Sequence, residues 1–267
     1  MKISFAVPSP EEVKSMYKYK KNLEKIAELG YAGVEPLIGN PEAANWKGFP
    51  EMLKQCNLEL SGLRTGLVYI REGLCFSAPD KNVRRKAVGR LKNIIEFESA
   101  FGKPNILIGL MQGRIKETGK LREVKNRIVD CLRDCASAAE KYGIVLALEP
   151  VNRYELSYNN TVDEVIQLIQ KVGSGQIKVL IDTFHMNIEE KSIVEAIIRT
   201  RNHIGHVHFA DSNRLAPGKG HMDFQEIMKA LKEIHYNGHI TVECDLKPDF
   251  ETATGDAINY LKSLMRL

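Results

Sequence analysis

The 267-residue sequence predicts an α/β fold of the (β/α)8 TIM-barrel class on three observations. Eight short apolar runs recur, a segment of helical period follows each, and the repeat averages about 33 residues, one strand–helix unit of such a barrel. The runs extend from Ile3 to Val7, Gly33 to Ile38, Leu58 to Leu63, Asn105 to Leu110, Ile144 to Glu149, Val179 to Asp182, Ile204 to Phe209 and His239 to Glu243. Several are almost continuously apolar, as in Val145-Leu146-Ala147-Leu148 and Lys178-Val179-Leu180-Ile181, which marks strands covered on both faces by helices. An antiparallel sandwich would alternate instead.

The intervening segments carry helix signals. Val124, Ile128, Leu132, Cys135 and Ala139 share one face of a predicted helix from about Lys120 to Tyr142, and Phe224, Ile227, Met228, Leu231 and Ile234 do so near the end. Thr161-x-x-Glu164, Asn187-x-x-Glu190 and Asp223-x-x-Glu226 read as capping boxes that start helices. Gly30 and Gly143 stand where a left-handed residue closes one. An open doubly wound sheet would need a Gly-rich turn after the first strand, and Val7-Pro8-Ser9-Pro10 is not that turn. No linker or composition shift breaks the chain, so a single domain over residues 1–267 is expected.

Composition excludes other classes. With 43% apolar and 27% charged residues the chain can bury a large core, which rules out disorder and fibrous folds. The net charge of +4 comes without a run of like charges, so no nucleic-acid partner is expected. The apolar stretch from Met1 to Pro8 is too short for a signal peptide and no 18-residue apolar run occurs, so the expectation is a cytoplasmic protein without a membrane partner. Five cysteines without a CxxC pair read as buried reduced thiols, Cys131 and Cys135 among them.

A barrel of this class places its chemistry at the C-terminal ends of its strands. Strands five to eight end in Glu149, Asp182, His208 and Glu243, separated by 33, 26 and 35 residues, one unit apiece. Barrel closure brings these groups around one point. Three carboxylates and an imidazole in an apolar cavity repel one another unless a cation neutralises them. The oxygen-rich, thiolate-free set suits one divalent ion, Mn²⁺ first, with Mg²⁺ or Co²⁺ also compatible, and leaves about two coordination positions for substrate oxygens. His206 shares the parity of His208, but His208 stands nearer the strand end; His203, His235 and His239 read as solvent or strand-start residues. In the following loops His185 and Arg214 stand within reach of a bound hydroxylated substrate, whereas Arg153, Asn213 and Lys219 read as ordinary loop residues.

Asp182-Thr183-Phe184-His185-Met186-Asn187-Ile188-Glu189-Glu190, Ala210-Asp211-Ser212-Asn213-Arg214, Pro217-Gly218-x-Gly220-His221 and Glu149-Pro150-Val151-Asn152-Arg153-Tyr154-Glu155 together resemble the ketose 3-epimerase group (D-tagatose or D-psicose 3-epimerase-like) of the xylose isomerase-like barrel superfamily. The resemblance implies an isomerase with Glu149, Asp182, His208 and Glu243 as metal ligands, Glu149 and Glu243 as the catalytic pair, and Glu155, His185 and Arg214 as substrate contacts. It implies C3 epimerisation of a free ketose or keto sugar acid through a metal-held cis-enediolate, with one base on each face of the reacting carbon. Hydroxypyruvate isomerase-like and pentulose-5-phosphate 3-epimerase activities are alternatives, and a sugar-binding relative with a lapsed site is the non-enzyme alternative. A three-zinc endonuclease of the same superfamily would need further His ligands, and strand three runs instead into Leu63-Arg64-Thr65-Gly66. Arg64, Arg71 and Arg114 follow strands three and four, where an arginine fork could meet a substrate carboxylate. Relatives of this kind imply a homodimer or homotetramer.

Overall fold

A computed structural model describes residues 1–102, 104–114 and 120–265. Its strands are β1 (Lys2–Val7), β2 (Gly33–Pro36), β3 (Glu59–Leu60), β4 (Gly62–Arg64), β5 (Asn105–Ile108), β6 (Leu146–Leu148), β7 (Ile177–Asp182), β8 (Ile204–Phe209) and β9 (His239–Val242). All pairings are parallel, in the order β3-β2-β1-β9-β8-β7-β6-β5-β4. The third predicted strand is thus broken at Ser61: β3 pairs with β2 and β4 with β5. The Ser61 amide and hydroxyl both donate to the Val34 carbonyl (3.0 and 3.1 Å), and a single bridge joins Leu37 to Arg64. The result is a nearly closed parallel barrel ringed by helices, as expected.

The helices form where the amphipathic pattern and the caps agree. In the helix Leu121–Tyr142, Val124, Ile128, Leu132, Cys135 and Ala139 are all buried, and Gly143 closes it at φ 67°. Each large apolar side chain so buried contributes about 1.5–3 kcal/mol. Thr161 caps the helix Val162–Val172 through the Glu164 amide (3.3 Å), and Asp223 caps Phe224–Glu233. The third expected cap fails. Asn187 lies inside the helix Thr183–Glu189, whose cap is Asp182, and Ser192 caps the next helix, Ile193–Thr200. Four of the five cysteines are buried free thiols, whereas Cys244 is half-buried. Among the described residues, no helix is long and apolar enough to cross a membrane.

Inside the barrel the two sides differ. Leu107, Ala147 and Leu180 from β5, β6 and β7 form a small apolar cluster of their own. Opposite them, Ser4, Glu35, His206 and Thr241 are buried polar groups on β1, β2, β8 and β9. This polar side lies directly beneath the cavity described next.

Candidate active site

Strand ends, the loops after β6 and β8, and the helix Thr183–Glu189 build the cavity. Glu149 follows β6, Asp182 ends β7, His208 lies one residue before the end of β8, and Glu243 follows β9. Glu149, His208 and Glu243 converge with Arg64, Glu155, His185 and Arg214 on a cavity of about 230 Å³, closed on its apolar side by Leu37, Ile70, Leu107, Leu110 and Val151; Asp182 lies buried behind this lining. That volume is about eight waters' worth, the scale of one small polar molecule.

Each acidic group is set by its local structure. Asp182 divides its oxygens: Oδ1 accepts from the amides of Phe184 (2.8 Å) and His185 (3.4 Å) as a helix cap, while Oδ2 pairs with Arg214 (2.7 Å). Glu149 lies against bare backbone, because a Cβ on Gly109 would meet its Oε2 well inside the 3.0 Å that real Cβ atoms keep. Glu243 is held from two sides, by Arg64 on Oε1 (2.6 Å) and Arg214 on Oε2 (2.6 Å). Arg214 itself sits at φ 64°, with its guanidinium 4.9 Å from the centre of the Phe184 ring. Its turn is organised by Asp211, whose buried carboxylate accepts from the amides of Ser212 (2.7 Å), Gly218 (2.9 Å) and Met222 (3.2 Å).

His185 is positioned by Asn152. The Asn152 side-chain amide lies 2.8 Å from Nδ1 and 3.3 Å from Glu155 Oε1, so it can donate to both. That puts the imidazole proton on Nε2, which faces Glu149 Oε1 (3.7 Å) and Asp182 Oδ2 (4.0 Å). Burial pushes the His185 pKa down, with Asp182 only partly offsetting it. His208 goes the other way. Burial disfavours its charge, but Glu35 and Glu243 outweigh that and raise it well above the usual value. Glu149 is raised well above the carboxylate range by burial first and by Asp182 and Glu243 next, whereas for Glu243 the burial penalty is overcome by Arg214, His208 and Arg64, which hold it well below.

The four groups fit a divalent cation. One ligand atom from each of Glu149, Asp182, His208 and Glu243 lies within 4.8 Å of all the others. From His208 Nδ1 the separations are 3.2 Å to Glu243, 3.9 Å to Glu149 and 3.9 Å to Asp182. Around an octahedral ion with bonds near 2.1 Å, neighbouring donors stand about 3.0 Å apart and opposite ones about 4.2 Å. Glu149 Oε1 and both ring nitrogens of His208 are buried without a hydrogen-bond partner, which a cation between Glu149 Oε1 and His208 Nδ1 would relieve, while Arg214 engages the other two groups.

Residues 23–264 match the model of a family described as "xylose isomerase-like TIM barrel". The chain belongs to that family. It is 40% identical to D-psicose 3-epimerase of Enterocloster bolteae over 128 residues, 48% of this chain and 41% of that protein, so the match spans about two fifths of that relative's length. It is 28% identical to 3-dehydro-D-guloside 4-epimerase of Escherichia coli over 262 residues, 95% of both chains. Among solved structures, D-psicose 3-epimerase of Clostridium cellulolyticum H10 with D-tagatose superposes with a TM-score of 0.79 at 26% identity, covering 100% of this chain and 92% of that one.

Within this xylose isomerase-like barrel the expected site residues assemble, but some neighbours differ from the sequence reading. Arg71 leaves the cavity and pairs with Glu11 (2.9 Å) and Glu12 (2.8 Å). Arg114 lines a separate groove of about 590 Å³ that shares Ile70 and Leu110 with the cavity. Arg64 does reach the site, yet it spends its donors on Glu243, the Val7 carbonyl and the Glu35 carbonyl. Arg153 pairs with Glu189, and Lys219 with Asp256, as ordinary loop residues do. Asn152, Asp211 and Glu35 were not foreseen. Glu35 had a readable signal, because Gly33-Val34-Glu35-Pro36 also ends an apolar strand in an acid.

Proposed function

We propose that this chain is a divalent-metal-dependent carbohydrate epimerase of the isomerase class, working as one barrel domain over residues 1–267 and inverting C3 of a free ketose or keto sugar acid. The observation that carries this reading is the convergence of Glu149, Asp182, His208 and Glu243 within 4.8 Å of one another beside one small cavity, with Glu149 Oε1 and both His208 ring nitrogens buried without a hydrogen bond. Mn²⁺ is the preferred ion on the donor set. When bound, it supplies a Lewis acid for a carbonyl oxygen and its neighbouring hydroxyl.

The protein groups supply the rest. Glu149 after β6 and Glu243 after β9 approach the cavity from different strands, as proton transfer on two faces of one carbon requires. Before any ion binds their environments differ, burial and the neighbouring acids raising Glu149 while Arg214, His208 and Arg64 hold Glu243 down. One carboxylate serves each face, and the scheme holds whichever of the two removes the proton. Arg214 and the Nε2 proton of His185 face the negative charge that develops on the substrate oxygens, and Glu155 accepts from a hydroxyl further along the sugar.

A 3-keto glycoside inverted at C4 is the second substrate class. The Escherichia coli relative matches along almost its whole length, and the adjoining groove past Ile70 and Leu110 leaves room for an aglycone. The same two carboxylates would serve, since C4 also lies beside the carbonyl. The deciding experiment titrates apo-protein with MnCl2, following the rise in melting temperature. It then assays ketoses, keto sugar acids, 3-keto glycosides, hydroxypyruvate and pentulose 5-phosphates in D2O by NMR. Solvent deuterium should enter at the inverted carbon of the true substrate. Glu243→Gln should stay folded and lose nearly all turnover; wild-type rates in that variant with Mn²⁺ bound would exclude the two-base scheme. Mn²⁺ binding without turnover on any substrate would favour a sugar-binding protein.

A further inference from the structure

We propose that Glu35 is a positioning residue for the candidate metal centre: its buried carboxylate fixes which nitrogen of His208 faces Glu149, Asp182 and Glu243, and through Arg64 it fixes where Glu243 lies. The inference rests on the metal reading above and concerns residues outside the ligand set.

Glu35 sits on β2 beneath the cavity, fully buried. Its Oε2 accepts from Thr241 Oγ1 (2.8 Å) and lies 2.7 Å from His206 Nε2. Its Oε1 stands 2.8 Å from His208 Nε2 and 3.4 Å from Arg64 Nε. Four donor-bearing groups therefore surround two oxygens: the contacts at Oε2 are hydrogen bonds, whereas those at Oε1 are close charge pairs without hydrogen-bond geometry. An ionised carboxylate only accepts, so when His208 gives up one hydrogen to ligate a cation, the contact with Glu35 favours keeping the remaining one on Nε2 and leaving the lone pair on Nδ1. Nδ1 is the nitrogen that faces the other three proposed ligands. A carboxylate behind a ligating histidine sets the tautomer and ring orientation and raises the basicity of the ligand. The second arm runs through Arg64. Its guanidinium is anchored to the Glu35 carbonyl (3.1 Å) and the Val7 carbonyl (2.8 Å) and holds Glu243 Oε1 (2.6 Å). One residue on β2 thus reaches two ligands on β8 and after β9.

A competing assignment makes Glu35, His206 and His208 a second cation site, since their ligand atoms lie within 4.8 Å of one another. The surrounding donors argue against it, because a guanidinium already stands against the same oxygen an ion would need.

The test is Glu35→Gln, an isosteric change that removes the carboxylate charge behind Nε2 and leaves one acceptor oxygen where there were two, so the His208 tautomer and the position of Arg64 are no longer held together. MnCl2 is titrated calorimetrically into apo-protein, with circular dichroism confirming the fold. The expected result is one Mn²⁺ per wild-type chain and an affinity weaker by about 10–100-fold in the variant. Glu35→Asp, which keeps the charge but shortens its reach, should fall between the two. A lower apo melting temperature with unchanged Mn²⁺ affinity would mean that Glu35 is merely structural and overturns the proposal. Two Mn²⁺ per wild-type chain overturns it in favour of the second site. No Mn²⁺ binding by the wild type overturns the metal reading itself, and this inference with it. Should Glu35→Gln fail to fold, Thr241→Val removes one bond from Glu35 and leaves every proposed ligand. Weaker Mn²⁺ binding by that variant supports the proposal and unaltered binding refutes it.

Discussion

Gly109→Ala isolates the placement of Glu149 from its chemistry. The added methyl group would stand well inside the closest approach of real Cβ atoms to Glu149 Oε2, with the carboxyl carbon 3.5 Å away. The end of a side chain can retreat, so the stability cost is small, about 1 kcal/mol for modest overpacking. The retreat itself is about 1 Å, and a displacement of that size at a reacting group costs about 100-fold in rate, or about 2.7 kcal/mol of barrier. Turnover on the identified sugar should therefore fall by about two orders of magnitude while the melting temperature moves by only a few degrees. Gly89→Ala is the control. It lies in the helix Lys81–Glu98 with nothing within 4 Å of its new Cβ, and should stabilise by up to about 1 kcal/mol with full activity. Wild-type turnover in Gly109→Ala would show that Glu149 does not act from the position described.

Two further variants probe groups outside the ligand set. Glu98 is buried in the helix Lys81–Glu98 with neither carboxyl oxygen hydrogen-bonded, and burial raises its pKa well above the usual value. A raised folded-state pKa gives stability that is full below the unfolded value near 4.5 and is lost as pH climbs through the folded one. Glu98→Met should thus be more stable than wild type at pH 8, by about 1–3 kcal/mol, with the advantage shrinking toward pH 5. Parallel melting curves at the two pH values would contradict this. Asp211→Asn turns one acceptor oxygen into a donor facing the Gly218 amide, loosening the turn that aims Arg214. Sugar KM should rise at least tenfold, and an unchanged KM would detach Arg214 from substrate binding.

What was legible in the sequence follows from how local each signal is. Glu149, Asp182, His208 and Glu243 stand out because a parallel barrel converts regular spacing along the chain into proximity at one end. Glu155 entered only through resemblance, since its position in a polar loop carries no pattern of its own. Arg64 and Glu243 lie 179 positions apart, and Glu35 and His206 lie 171 apart, so no window of sequence displays those contacts. Asn187 misled because Asp182 performs two tasks, capping a helix with one oxygen and pairing with Arg214 through the other. The break at Ser61 was hidden because Leu58 to Leu63 is apolar enough to read as one strand, and only the divided pairing with β2 and β5 exposes it.

The unequal lining of the barrel sets where this scaffold can drift. Volume-conserving exchanges at Ala147 or Leu180, which do not line the cavity, disturb packing alone, and evolution can sample them at little risk. Around Glu35, His206 and Thr241 almost any replacement strands a neighbour, so that half is frozen as a unit and changes only by concerted substitution. New substrate preferences must then arise in the rim loops, leaving the lumen as inherited machinery.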